Sequence, residues 1–208
     1  MRKLVVTTFM TLDGVMQAPG GPDEDRDGGF DHGGWSVGYW DEMMGEVAGD
    51  VHLAADEILF GRRSYEILGG HWPKVGDDDP LAAKLNAARK HVASRTLREL
   101  PWRNSVLLEG EVADAVTALK AADGGDILVI GSSDLIQTLL RHDLVDTFVV
   151  WTFPVVVGAG KRLFGDGAIP AGLRLHDVKT STTGVTIATY ERAGEIQGGS
   201  FALEESAT

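Results

Sequence analysis

Residues 126–142, DILVIGSSDLIQTLLRH, constrain the fold more than any other stretch, because they read as strand, turn and helix without a break. Ile127 to Ile130 form a short apolar run rich in β-branched residues, the pattern of a central strand covered on both faces. Gly131 ends it. Ser132 or Ser133 can then accept from the first free amides of a helix whose apolar positions are Leu135, Ile136, Leu139 and Leu140. A helix that starts at the carboxyl end of a strand presents unpaired N–H groups and a partial positive charge, which suits a phosphate. The same pattern also serves an ordinary strand-to-helix connection.

A chain of 208 residues with 43% hydrophobic content can bury a full core around such a unit. One domain is expected over residues 1–192, followed by an acidic tail over 193–208 expected to be disordered. No apolar run reaches the roughly 18 residues of a membrane span. The opening MRKLVVTTFMTLDG meets Asp13 before the apolar region of a signal peptide could be completed. The expectation is a soluble, cytoplasmic protein that binds no membrane. Absence of cysteine removes disulfides, thiolate zinc sites, iron–sulfur clusters and cysteine nucleophiles together, and no metal site is expected. A net charge of −12 argues against a nucleic-acid partner, which needs a basic face. The acidity is uneven, however. Asp23 to Asp31 and Asp77 to Asp79 carry much of it, while Arg62, Arg63, Lys90 and Arg95 could make a basic pocket for one small anion.

The rest of the chain repeats the strand-and-helix theme. Residues 2–10 read as a first strand, and Thr11 to Gly14 turn out of it. Residues 17–38 are glycine-rich and acidic, too long for a mere connector, and their Phe30 and Trp35, with Tyr39 beyond, favour a loop that closes on something. A helix is expected over Tyr39 to Ala55, with Trp40, Met43, Met44, Val47 and Val51 as its core positions. Ile58 to Phe60 make a strand, Gly61 breaks it and Arg62 to Leu68 make a helix. Pro80 opens another helix to about Arg89. Strands follow at Lys90 to Ala93 and Ser105 to Leu108, then a helix marked by Val112, Ala115, Val116 and Leu119. Leu144 to Thr152 are strongly β-forming, and Pro154 marks an edge or bulge before Val155 to Val157. GAGKRLFGDG fits neither the Rossmann nor the P-loop pattern, since its third glycine falls late and Arg162 stands where Ser or Thr would follow the lysine. Leu173 to Lys179 and Val185 to Tyr190 close the chain as a hairpin.

About eight strands and four helices imply an α/β sandwich with a mainly parallel sheet and an antiparallel end. Ligands in such sheets lie beyond the carboxyl ends of the strands. Three of those ends carry suitable groups: Gly61 with Arg62 and Arg63, Ser94 with Arg95, and Gly131 with Ser132.

At this point the chain resembles the dihydrofolate reductase superfamily, in the branch of the carboxy-terminal reductase domain of bacterial riboflavin biosynthesis proteins. The resemblance spans residues 2–192 and rests on TLDG, LFGRRSYE, SRT, VIGSSDLIQTLL and LVDTFVVWTFPVVVGAGKRLF in that order. It implies a three-layer sandwich, a homodimer, and hydride transfer from NADPH to a small heterocyclic substrate. By the same resemblance, Gly61, Arg62, Arg63 and Ser64 grip cofactor phosphates, and Ser94, Arg95 and Thr96 surround the adenosine 2′-phosphate. Gly131, Ser132 and Ser133 match a paired-glycine turn under the pyrophosphate, with Ser132 in place of its second glycine. Asp41 is the nearest analogue of the carboxylate that donates the proton in folate-reducing members, with Asp13 second. His32 and His71 could also donate, and Trp35 could stack on a heterocycle. A cofactor-binding module without turnover fits the same residues, as does an enzyme of phosphorylated sugars or nucleotides.

Overall fold

The structure, a computed structural model, describes residues 1–165 and 168–201. A single sheet of eight strands runs through it: β1 (Leu4–Thr11), β2 (Glu57–Gly61), β3 (Arg89–Ala93), β4 (Ser105–Leu107), β5 (Ile127–Ile130), β6 (Thr147–Phe153), β7 (Leu173–Thr180) and β8 (Thr186–Arg192). The spatial order is β4-β3-β2-β5-β1-β6-β8-β7. The first six of these are parallel, β8 runs antiparallel to β6, and β7 antiparallel to β8. Six carboxyl ends therefore share one edge of the sheet, and the closing hairpin is the one expected.

Among the described residues five α-helices cover the sheet rather than four: α1 (Glu42–Ala54), α2 (Arg62–His71), α3 (Pro80–Ala87), α4 (Val112–Ala121) and α5 (Ser133–Arg141). Alternation along β2 sorts the layers. Leu59 packs with Leu4, Val6, Ile127 and Val129 against Val116 of α4 and Leu135, Ile136 and Leu139 of α5. Ile58 and Phe60 point the other way, into Tyr65 of α2, Leu85 of α3 and Trp102. On that second side Met44, Val47 and Ala48 of α1 cover Val149, Trp151 and Phe153. Strands buried on both faces have no polar side to show, which is why β5 reads as an unbroken apolar run.

Local chemistry moves several boundaries. Asp41 is extended (φ −135°, ψ 176°) and caps α1, so the helix begins three residues later than Tyr39, and Trp40 lies outside it. Residue 89 belongs to β3, because α3 ends at Ala87. The ladder of β6 stops at Phe153, where Pro154 has no N–H to continue it, and Val155 to Val157 join no strand. Residues 194–201 carry no regular element, and the rest of the expected tail lies outside the described residues. No helix among the described residues is long and apolar enough to cross a membrane.

Candidate active site

Beyond the carboxyl ends of β1, β2, β3 and β5 the connections enclose a cavity of about 1220 Å³. Typical small-molecule sites occupy roughly 300–1,000 Å³, so this one has room for a large cofactor and a second ligand. Gly61 to Ser64, Ser94 to Thr96, and Gly131 with Ser133 all line it. The three segments singled out in the sequence thus share one rim.

Ser132 sits behind that rim in the left-handed region (φ 74°, ψ 64°), the conformation glycine would favour, at a cost of about 1–2 kcal/mol for an L residue. Its Oγ accepts the Gly61 N–H at 2.8 Å and donates to the Ile130 carbonyl at 3.3 Å. A hydroxyl therefore fastens the β2–α2 turn to the β5–α5 turn.

Helix N-termini divide into two sets. In α1 the Asp41 carboxylate accepts from Met44 N–H at 3.0 Å, and in α3 the Asp79 carboxylate accepts from Ala82 N–H at 2.9 Å. Neither α2, α4 nor α5 has a side-chain cap, and the first residues of all three line the cavity. Unpaired amides there carry partial positive charge toward the space between them. Glu111 and Asp134 stand beside two of these ends and set an electrostatic limit on how much negative charge the rim accepts.

The cations on the rim are not equivalent. Arg62 is exposed and pairs with Glu66 at 2.8 Å one turn along its own helix. Arg63 is held by the acidic loop, by Asp25 and by Asp27 at 2.7 Å. Lys161, from the GAGKRLF segment, binds the same two carboxylates at 2.8 and 2.9 Å. Hydrogen bonds from Arg63 and then Lys161 hold the Asp27 carboxyl down to about 2. Arg95 is exposed on the cavity wall, with no ion pair or hydrogen bond among the described residues. Lys90 is not part of the basic pocket. It is fully buried, its Nζ donating to the carbonyls of Leu85, Asn86 and Ala88 at the end of α3, 4.7 Å from the centre of the Trp102 ring. Burial lowers its pKa to about 8.

The two carboxylates nominated for catalysis lie away from the cavity wall and are engaged elsewhere. Besides capping α1, Asp41 accepts from the N–H and hydroxyl of Thr182 at 2.9 and 2.8 Å. Asp13 accepts from the Thr11 hydroxyl at 2.6 Å and from the amides of Val157 and Gly158, fixing the turn after β1 against the GAGKRLF loop. These bonds lower both pKa values, led by the Met44 amide for Asp41 and the Thr11 hydroxyl for Asp13. His32 pairs with Asp31 at 3.3 Å over a separate, smaller hollow, and His71 lies edge-on to Trp72. Trp35 does not face the cavity either: its indole donates to the Gln17 carbonyl at 2.8 Å and its ring packs edge-on against Phe153. The exposed aromatic surface of the site comes instead from Trp40, stacked parallel to Trp151 at 6.2 Å, with Phe9 beside both.

Two titratable groups on the cavity wall escaped the sequence reading. Burial raises the pKa of Glu24, against two loop amides that lower it. Burial lowers that of His52, which looks in from α1.

An eight-stranded, mainly parallel sheet with an antiparallel end and a ligand-sized cavity over its strand ends is a dihydrofolate reductase-like architecture. The chain belongs to the RibD C-terminal domain family, whose model matches residues 2–189. It is 31% identical over 196 residues to the uncharacterized protein YyaP of Bacillus subtilis (strain 168), covering 93% of this chain and 96% of that one. A Shewanella sp. PV-4 structure named for riboflavin biosynthesis superposes with a TM-score of 0.64 at 23% identity, covering 92% of this chain and 99% of the other. A pyrimidine reductase-like protein of Corynebacterium diphtheriae gives 0.60 at 13% identity, with 93% of each chain covered. At these identities the two structures speak for the fold.

Proposed function

We propose that the protein is an NADPH-dependent reductase that transfers a hydride to a small, pyrimidine-like or pterin-like heterocycle. The observation that carries this reading is the convergence on one cavity of the uncapped starts of α2 and α5 and of Arg95, which has no partner among the described residues. A dinucleotide diphosphate suits the first two, and an adenosine 2′-phosphate suits Arg95 with the hydroxyls of Ser94 and Thr96. Bound NADPH would supply the hydride. The aromatic shelf of Trp40 and the apolar walls of α1 and α3 offer a flat heterocycle a slot to pack in.

Reduction of a C=N bond also needs a proton on nitrogen. Glu24 is the wall carboxyl that burial drives toward its protonated form, and we favour it as donor over Asp13 and Asp41, whose partners hold them ionised. The name of one structural neighbour, a pyrimidine reductase-like protein, agrees with a pyrimidine-like ring. The engagement of Asp13 and Asp41 also favours a second reading, a cofactor-binding module without turnover. Loss of reduced-nicotinamide absorbance with a heterocycle panel separates the two.

Arg95→Ala tests the carrying observation. A charge-assisted phosphate contact contributes about 1.5–3 kcal/mol, so NADPH affinity by nicotinamide fluorescence should fall roughly ten- to hundredfold while NADH affinity holds. Equal loss for both cofactors would overturn the assignment.

A further inference from the structure

The inner face of α1 shows the cavity a stripe of Gly45, Ala48 and His52, spaced at three and four residues and so stacked along one side of the helix. Two small residues open the slot, and an imidazole closes its end. Leu81 and Leu85 of α3 line the same cavity. In this largely apolar surrounding one ring atom of His52 is spoken for: Nδ1 lies 2.6 Å from the Ala48 carbonyl. A carbonyl only accepts, so Nδ1 carries the proton and Nε2 of the neutral ring is left with a bare lone pair. Among the described residues Nε2 has no hydrogen-bond partner, it is not among the atoms sealed from solvent, and His52 is one of the residues that line the cavity.

We infer that His52 Nε2 is a substrate-recognition acceptor, and that the site selects an uncharged, flat heterocycle presenting an N–H or amino group toward α1. The inference rests on the reductase reading for the identity of the site and deepens it by naming what the ring must carry. Burial disfavours the imidazolium, which keeps the ring an acceptor instead of a donor. Leaving such an acceptor unpaired under a bound ring is costly, so a ligand lacking the donor should bind about ten- to hundredfold more weakly. The hydroxyls of Thr7 and Thr8, on the strand floor of the cavity, are already engaged with the Trp151 indole and the Phe9 carbonyl.

The test titrates an aminopyrimidine and its N,N-dimethyl analogue into the protein, with and without NADPH, following quenching of the tryptophans. Wild type should prefer the amino compound at least about tenfold. His52→Phe, which keeps a ring and removes the acceptor, should abolish that preference and leave NADPH affinity unchanged. His52→Gln, which restores an acceptor oxygen, should recover part of it. A preference intact in a folded His52→Phe protein overturns the inference, and so does failure of wild type to bind or distinguish the two rings. NADPH binding is scored separately, so loss of the reductase reading shows as no cofactor response whatever the heterocycles do.

Discussion

The starts of α1 and α3 and the starts of α2 and α5 present the same orphan amides, yet the chain treats them differently. In the first pair an aspartate closes the end. In the second the preceding residue is Gly61 or Ser132, no side chain caps, and the amides open on the cavity. Where folding alone was at stake, the sequence supplies an internal anion. Where the end is left open, its amides face the cavity, and on the proposed reading that is where a cofactor's phosphates would bind.

The harshest way to break that comparison is to put an internal anion beside the open start of α5. Ser132→Asp keeps a residue that tolerates the left-handed region and sets a carboxylate between the β2–α2 and β5–α5 turns. NADPH affinity should fall about a hundredfold or more, since the new charge repels the diphosphate, and thermal stability should fall slightly, because a carboxylate cannot donate to the Ile130 carbonyl as the hydroxyl does. Unchanged affinity by fluorescence titration would detach α5 from the cofactor. A smaller effect is expected in the other direction. Asp41→Ala should cost about 1 kcal/mol in urea unfolding, through the lost cap, and leave NADPH affinity untouched. Turnover abolished at full stability would instead return Asp41 to the chemistry.

The mildest test concerns the acidic loop, whose Asp27 is an internal anion bound to rim cations. Its folded pKa of about 2 lies below the ordinary 3.8, so its ion pairs contribute above pH 3.8 and are lost as pH falls toward 2. Hydrogen exchange over residues 17–30 should rise in that window in wild type and already be raised near neutral pH in Asp27→Asn. A loop that opens over the same range in both would show that other groups hold it.

Much of the frame was legible because buried parallel strands and their glycine turns are written locally. Ile127 to Ile130, Gly61 and the Ser94 to Thr96 turn announce themselves through short-range pattern alone, and the sheet then brings their ends to one edge. What was not legible depends on partners far away in sequence. Lys90 looked like one more rim cation, but its register in β3 turns it into the end of α3, where carbonyls and Trp102 receive it. Arg63 looked free, and Asp25 and Asp27 claim it across the loop. Trp40 was read as a core position of the helix and Trp35 as the ring to stack on a ligand, and the cap at Asp41, which starts α1 two residues beyond Trp40, leaves Trp40 to face the cavity instead. His52 carried a readable sign, the small residues Gly45 and Ala48 on its own face of the helix, but a lone histidine near a helix end does not announce a cavity.

The Ser132 hydroxyl has a mechanical consequence. Because it ties Gly61 to the segment after β5, it couples the two amide clusters beyond the point where the β2–β5 ladder ends. On the proposed reading, that shared anchor favours a ligand whose charged groups are spaced to reach both turns at once.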